Sequence, residues 1–184
     1  MYFAALLART EDGWLAREPD LDDVETLADL SDLARAAGDE EETVLVFIEQ
    51  EDAWFGVVRI DGEDDPRIYV SDAAAAARSS YGEILLTDEL LGRDPDDDDV
   101  VDLDSLDLDG TEDGENDDTE EDAVAGPSED HVPTGPLGET GLLADLGMSG
   151  RELLALSGDG ALTGEALGEI ADALGAADVL EAVR

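Results

Sequence analysis

The chain has no cysteine, no lysine and a single histidine, His131. Without thiols it forms no disulfide, no thiolate zinc site and no cysteine nucleophile, and one imidazole excludes a multi-histidine metal site within one chain. Aromatic residues make up 4% of 184 positions, and all of them (Tyr2, Phe3, Trp14, Phe47, Trp54, Phe55, Tyr69, Tyr81) precede Gly82. Buried rings dominate core energetics, so the principal core is expected in the first half. No apolar run approaches the ~18–20 residues of a membrane span. The apolar opening, Met1 to Ala8, is short and no basic residue precedes it. It reads as a first strand rather than a secretory signal, and the protein as cytoplasmic.

What the chain has in excess is acid. Fifty-two Asp and Glu face nine arginines, for a net charge of -43. A surface of this sign repels nucleic-acid phosphate and anionic lipid, so direct contact with RNA, DNA or a membrane is not expected. The charge falls in three blocks: residues 1–93 carry -17, residues 94–130 carry -19 with no base, and residues 131–184 carry -7. The reading is an α+β domain over 1–93, an acidic disordered linker over 94–136 and short leucine-rich helices over 137–184. Like-charge repulsion and scarce apolar surface are the reason for expecting disorder in the middle block. Within it, the Leu/Asp alternation from Val100 to Leu108 suits a transient strand or an acidic-hydrophobic docking motif.

In the first block, Tyr2 to Ala8 reads as a strand and Gly13 to Ala16 as the start of its hairpin partner. Asp22, with Glu25 three residues on, resembles a capping box ahead of the stripe Val24, Leu27, Leu30 and Leu33, and the helix should end at Gly38. Thr43 to Ile48 is a continuous apolar run rich in β-formers, as in a strand buried on both faces. Ala53 to Ile60 and Arg67 to Val70 return as two further strands across polar turns. Ser71 or Asp72 then caps an alanine helix reaching about Ser80. The fold class is a mainly antiparallel sheet with helices on one face. In the last block, Ser149 and Glu152 form a capping box ahead of Leu153, Thr163 can cap a second helix, and Ala176 to Val183 forms a third. So small a bundle without aromatics needs the first domain or a partner to pack against.

Candidate sites are few. Asp109 to Glu120 nearly fits a calcium loop, with acids at the first, fifth and twelfth places and Gly114 at the turn. Thr111 and Asn116 break the pattern and no amphipathic helices flank it, so loose counterion attraction is the preferred reading. His131, between an acidic stretch and prolines, reads as a solvated loop residue rather than a general base. No phosphate-binding glycine loop is present. We assign no catalytic, cofactor or metal residue. Trp54 and Phe55 alternate on one strand and both read as core; an open sheet face would expose one of them beside Gln50, as suits a protein interface. Arg67, Arg78 and Tyr81 lie around the third strand and its helix, where pairing with nearby acids is favoured. These six residues form the candidate partner surface.

The segments Val44-Leu45-Val46-Phe47-Ile48-Glu49-Gln50 through Trp54-Phe55-Gly56-Val57-Val58-Arg59, and Asp64-Asp65-Pro66-Arg67-Ile68-Tyr69-Val70 through Ser79-Ser80-Tyr81-Gly82, resemble the actinobacterial family of tRNA adenosine deaminase-associated proteins. Tyr2 to Leu6 and Leu142 to Ser149 are similar to it as well. The resemblance implies a protein partner, a tRNA adenosine deaminase, and supplies no catalytic residues. The chain is not the deaminase itself, because zinc deaminases need a His and two Cys or three Cys as ligands in an H-x-E…P-C-x-x-C arrangement. The reading is a non-enzymatic acidic protein that docks on the deaminase by charge complementarity. The alternative is a salt-adapted or structural acidic protein unconnected with tRNA modification. A homodimer through an edge strand stays open.

Overall fold

The computed structural model describes residues 1–38, 43–51, 53–92, 132–158 and 163–184. Six antiparallel strands form one sheet in the order β2-β1-β3-β4-β5-β6. They are β1 (Tyr2–Thr10), β2 (Gly13–Arg17), β3 (Thr43–Gln50), β4 (Trp54–Asp61), β5 (Arg67–Val70) and β6 (Leu137–Gly138). Six helices accompany them: α1 (Leu27–Ala37), α2 (Ala73–Ala76), α3 (Ser80–Leu85), α4 (Gly150–Leu156), α5 (Thr163–Leu174) and α6 (Ala177–Glu181).

The unbroken apolar runs of β3 and β4 have their cause in this architecture. Side chains alternate across a strand, so an all-apolar strand requires cover on both faces. On one face Val44, Val46, Ile48, Trp54 and Val58 pack with Leu30, Ala34, Ala76 and Leu85 of α1–α3. On the other, Leu45, Phe47, Phe55 and Val57 pack with Leu142, Leu153, Leu167, Ile170 and Leu180 of the C-terminal region. The helices between residues 1 and 92 thus occupy one face, as expected, and the leucine-rich helices, unable to bury their stripes alone, cover the other.

Local chemistry places the element ends, with two departures from the expected boundaries. The first helix begins at Leu27, not after Asp22: Thr26 accepts from the Asp29 backbone N–H, and the Asp29 carboxylate accepts in return from that of Thr26. The alanine run does not reach Ser80 as one helix. It stops after Ala76, and Ser79 starts a new one by accepting from the Gly82 backbone N–H. Tyr2 donates its hydroxyl to the same Ser79 oxygen across 3.1 Å, so a strand side chain helps hold the break. Ser149 and Glu152 cap α4 reciprocally, as their spacing predicts. Strand β6 pairs with β5 and extends the sheet with residues from the chain's last third. Its Gly138 has φ +106°, and a Cβ there would lie 2.1 Å from the Ile68 carbonyl oxygen. Backbone contact that close admits no side chain.

The linker expected over 94–136, with the Leu/Asp alternation, the calcium-loop pattern and His131, lies outside the described residues apart from 132–136. Among the described residues no helix is long and apolar enough to cross a membrane.

Candidate protein-binding surface

A lone charge in an apolar strand must find partners, because burial without them costs several kcal/mol. Arg59, 6% exposed in β4, satisfies its guanidinium in three directions. Nε donates to both Asp61 carboxylate oxygens at 3.0 and 2.9 Å, Nη1 donates to the Leu142 carbonyl at 2.6 Å and to Asp145, and Nη2 donates to Asp145 at 2.8 Å. Arg67, opposite Arg59 on β5, also donates to Asp61 and reaches Glu139 at 3.5 Å. This network ties the C-terminal region to the sheet. A second tie joins Arg184 to Glu49 at 3.0 Å, with the guanidinium 5.3 Å from the Phe3 ring centre. A third is the Trp14 indole N–H, which donates to the Leu174 carbonyl at the end of α5 across 2.8 Å.

The network shifts its carboxyls. The hydrogen bond from Arg59 holds Asp145 below the usual aspartate range. Burial pushes Asp61 upward, but hydrogen bonds from Thr43, Arg67 and Arg59 together outweigh it and leave Asp61 lowered. A carboxyl with a depressed folded pKa contributes stability that is present above its unfolded pKa and lost as pH falls through the folded one. Self-repulsion works oppositely, relaxing as pH falls from 7 toward the pI of about 4.1. Urea-midpoint stability should therefore rise on mild acidification and then fall below about pH 4. Asp145→Asn should flatten the acid limb relative to wild type; parallel acid limbs would show that Asp145 does not contribute to it.

The six residues of the candidate partner surface do not form one patch. Trp54 and Phe55 are fully buried on opposite faces of the sheet. The reading in which one of them faces a partner is corrected, because helices cover both faces. Gln50 accepts the Trp54 indole N–H at 3.0 Å. Arg67 is engaged by Asp61 and Glu139, whereas Arg78 is exposed and has no ion pair among the described residues. Tyr81 stands edge-on to Tyr2, ring centres 5.0 Å apart.

That tyrosine pair opens on a cleft of about 430 Å³ whose wall also includes Phe3, Ile48, Glu18, Asp20 and Asp22. These three acids make no ion pair among the described residues. Aromatic faces beside unneutralised carboxylates are suited to a cationic side chain. Reading Tyr2 only as a strand residue missed this cleft, since Tyr81 and the Glu18–Asp22 loop reach it through the fold. Arg59 and Glu49 were detectable, each being a charge within an apolar strand pattern. Among the described residues no three His, Cys, Asp or Glu side chains converge so as to hold a metal ion.

Fold and surface together define an α+β protein with one helix-covered antiparallel sheet, whose exposed carboxylates outnumber the cations near them. The chain belongs to the Rv3753c-like tRNA adenosine deaminase-associated proteins, a family that matches residues 2–177. That description is of a protein associated with the deaminase, not of the deaminase. No curated protein and no solved structure gives a significant match to the chain.

Proposed function

We propose that the chain is a non-enzymatic cytoplasmic protein that binds the tRNA adenosine deaminase of its own cell. Its carboxylate-rich exterior docks on the basic surface with which such an enzyme must grip tRNA, and makes no direct contact with nucleic acid or membrane. The family assignment supports the partner. The observation that carries the mode of binding is the distribution of charge. Arg35, Arg59, Arg67 and Arg184 are spent on internal pairs, while Glu18, Asp20 and Asp22 line an aromatic cleft without a cation. Occupying the enzyme's basic surface would shield it or compete with tRNA.

Calorimetric titration of the chain against that deaminase is the test, at about 50 and 300 mM salt and with residues 94–130 present or deleted. Affinity should fall at least about tenfold across that range, as for association steered by opposite charge. Loss on deletion would place the contact in the block that carries 19 of the 52 acids; retention would place it on the folded surface. Salt-insensitive binding would remove the electrostatic mode. No binding at either salt would remove the partner and favour acidity serving salt tolerance or solubility.

A further inference from the structure

Between α4 and α5 runs an open groove of about 830 Å³. Small and apolar residues, Ala155, Leu156, Gly168 and Ala173, line it over the buried Met148, together with acidic side chains. Glu165, Glu169 and Asp172 follow one another along α5 at intervals of four and three residues, the spacing that places side chains on one helix face. Glu152 of α4 also lines the groove, with one carboxylate oxygen held by the Ser149 cap. None of these four carboxylates has an ion pair among the described residues. Arg151, the one basic residue on these two helices, is not among the lining residues.

Gly168 adds an independent observation. Glycine inside a helix is destabilising relative to alanine, and is usually tolerated where something must come close. Here a Cβ would meet no described atom within 4 Å, so no packing among the described residues requires the glycine. The bare position lies on the groove wall with open space over it, where an incoming backbone can approach.

We propose that this groove binds one helix of a partner protein, amphipathic and basic. Its apolar stripe lies on Ala155, Leu156, Gly168 and Ala173, and arginine or lysine at three- and four-residue intervals meets Glu165, Glu169 and Asp172 along α5. An apolar groove flanked by like charges is the complement of such a helix. Its lining on α5 runs from Glu165 to Ala173, about 12 Å, which leaves room for about two turns of a docked helix. Nucleic acid is excluded by the sign of the rim. The inference concerns the groove, whichever protein supplies the helix.

The test uses the full chain and a fluorescent synthetic helix of leucine, alanine and arginine, about 18 residues long, with arginines flanking a leucine stripe. A scrambled peptide of equal composition measures attraction owed to net charge alone. At about 150 mM salt the patterned peptide should bind at least tenfold more tightly than the scrambled one. Gly168→Leu, which projects into open space and improves helix propensity, should remove that advantage while the thermal midpoint stays at or above that of wild type. Glu165→Gln/Glu169→Gln should weaken binding severalfold. Glu11→Gln/Asp12→Asn, the same charge change at the β1–β2 turn, should leave it unchanged. Equal binding of the two peptides, or undiminished binding to both groove variants, would overturn the proposal. So would a solution dimer that Gly168→Leu dissociates, because the occupant would then be a second copy. Failure here leaves deaminase binding intact if the titration succeeds, and deaminase silence leaves the groove intact if the patterned peptide discriminates.

Discussion

Replacing Arg59 with methionine should cost the fold about 3–4 kcal/mol, read as a drop in urea midpoint at pH 7. Methionine fills much of the volume but leaves Asp61, one-quarter exposed, with Arg67 as its remaining cation, and strips Asp145 of its guanidinium partner. It also leaves the Leu142 carbonyl without its 2.6 Å donor. Removing one member of a buried ion pair is costly because the survivor remains desolvated. The loss should be local before it is global. Hydrogen exchange in α4–α6 should accelerate more than in β3, since Arg59 bridges residues 83 and 86 positions away in the chain. Adding Asp61→Asn should restore part of the stability by removing a half-buried carboxylate left with one cation in place of two. Additive losses would show that the two residues act independently.

Gly82→Ala should be as damaging, though the change is a single methyl. The new Cβ would lie 2.1 Å from the Ala76 carbonyl oxygen and 2.6 Å from the Ala76 Cα, a backbone contact that no rotamer relieves. Separating α2 from α3 would disturb Ala76 and Leu85, both fully buried beneath the sheet, and cost about 3 kcal/mol or more. Gly168→Ala is the matched contrast. With no described atom within 4 Å of its Cβ, it should stabilise the chain by about 0.5–1 kcal/mol. Thermal melts of the two variants should move in opposite directions; a shared direction would contradict the packing at one of the two sites.

Much of the fold could be read directly from residue patterns. The β-rich run at Thr43, the return strand read from Ala53 and found from Trp54, and the reciprocal pair Ser149/Glu152 are short-range signals whose physics acts within a few residues, and each stands within a residue of where the pattern places it. The break at Ser79 was not legible because alanines favour continuing a helix; what stops it is Gly82 packed on Ala76 and a hydroxyl reaching in from Tyr2. The surface was less legible than the fold. Trp54 and Phe55 appeared as candidate interface residues only while one sheet face could be imagined open. Tyr2 and Tyr81 are 79 positions apart and meet because β1 lies beside β3 while α3 packs beneath.

The sequence by itself determined the sign of the surface, the exclusion of thiol and multi-histidine chemistry, the main strands and the family, because composition and local pattern suffice for each. Only the tertiary structure decided which carboxylates are neutralised and which are left facing solvent. Cations and acids distant in the chain are paired by sheet register and helix docking, and an arginine's position in the chain does not say whether it will face inward to Asp145 or outward to water.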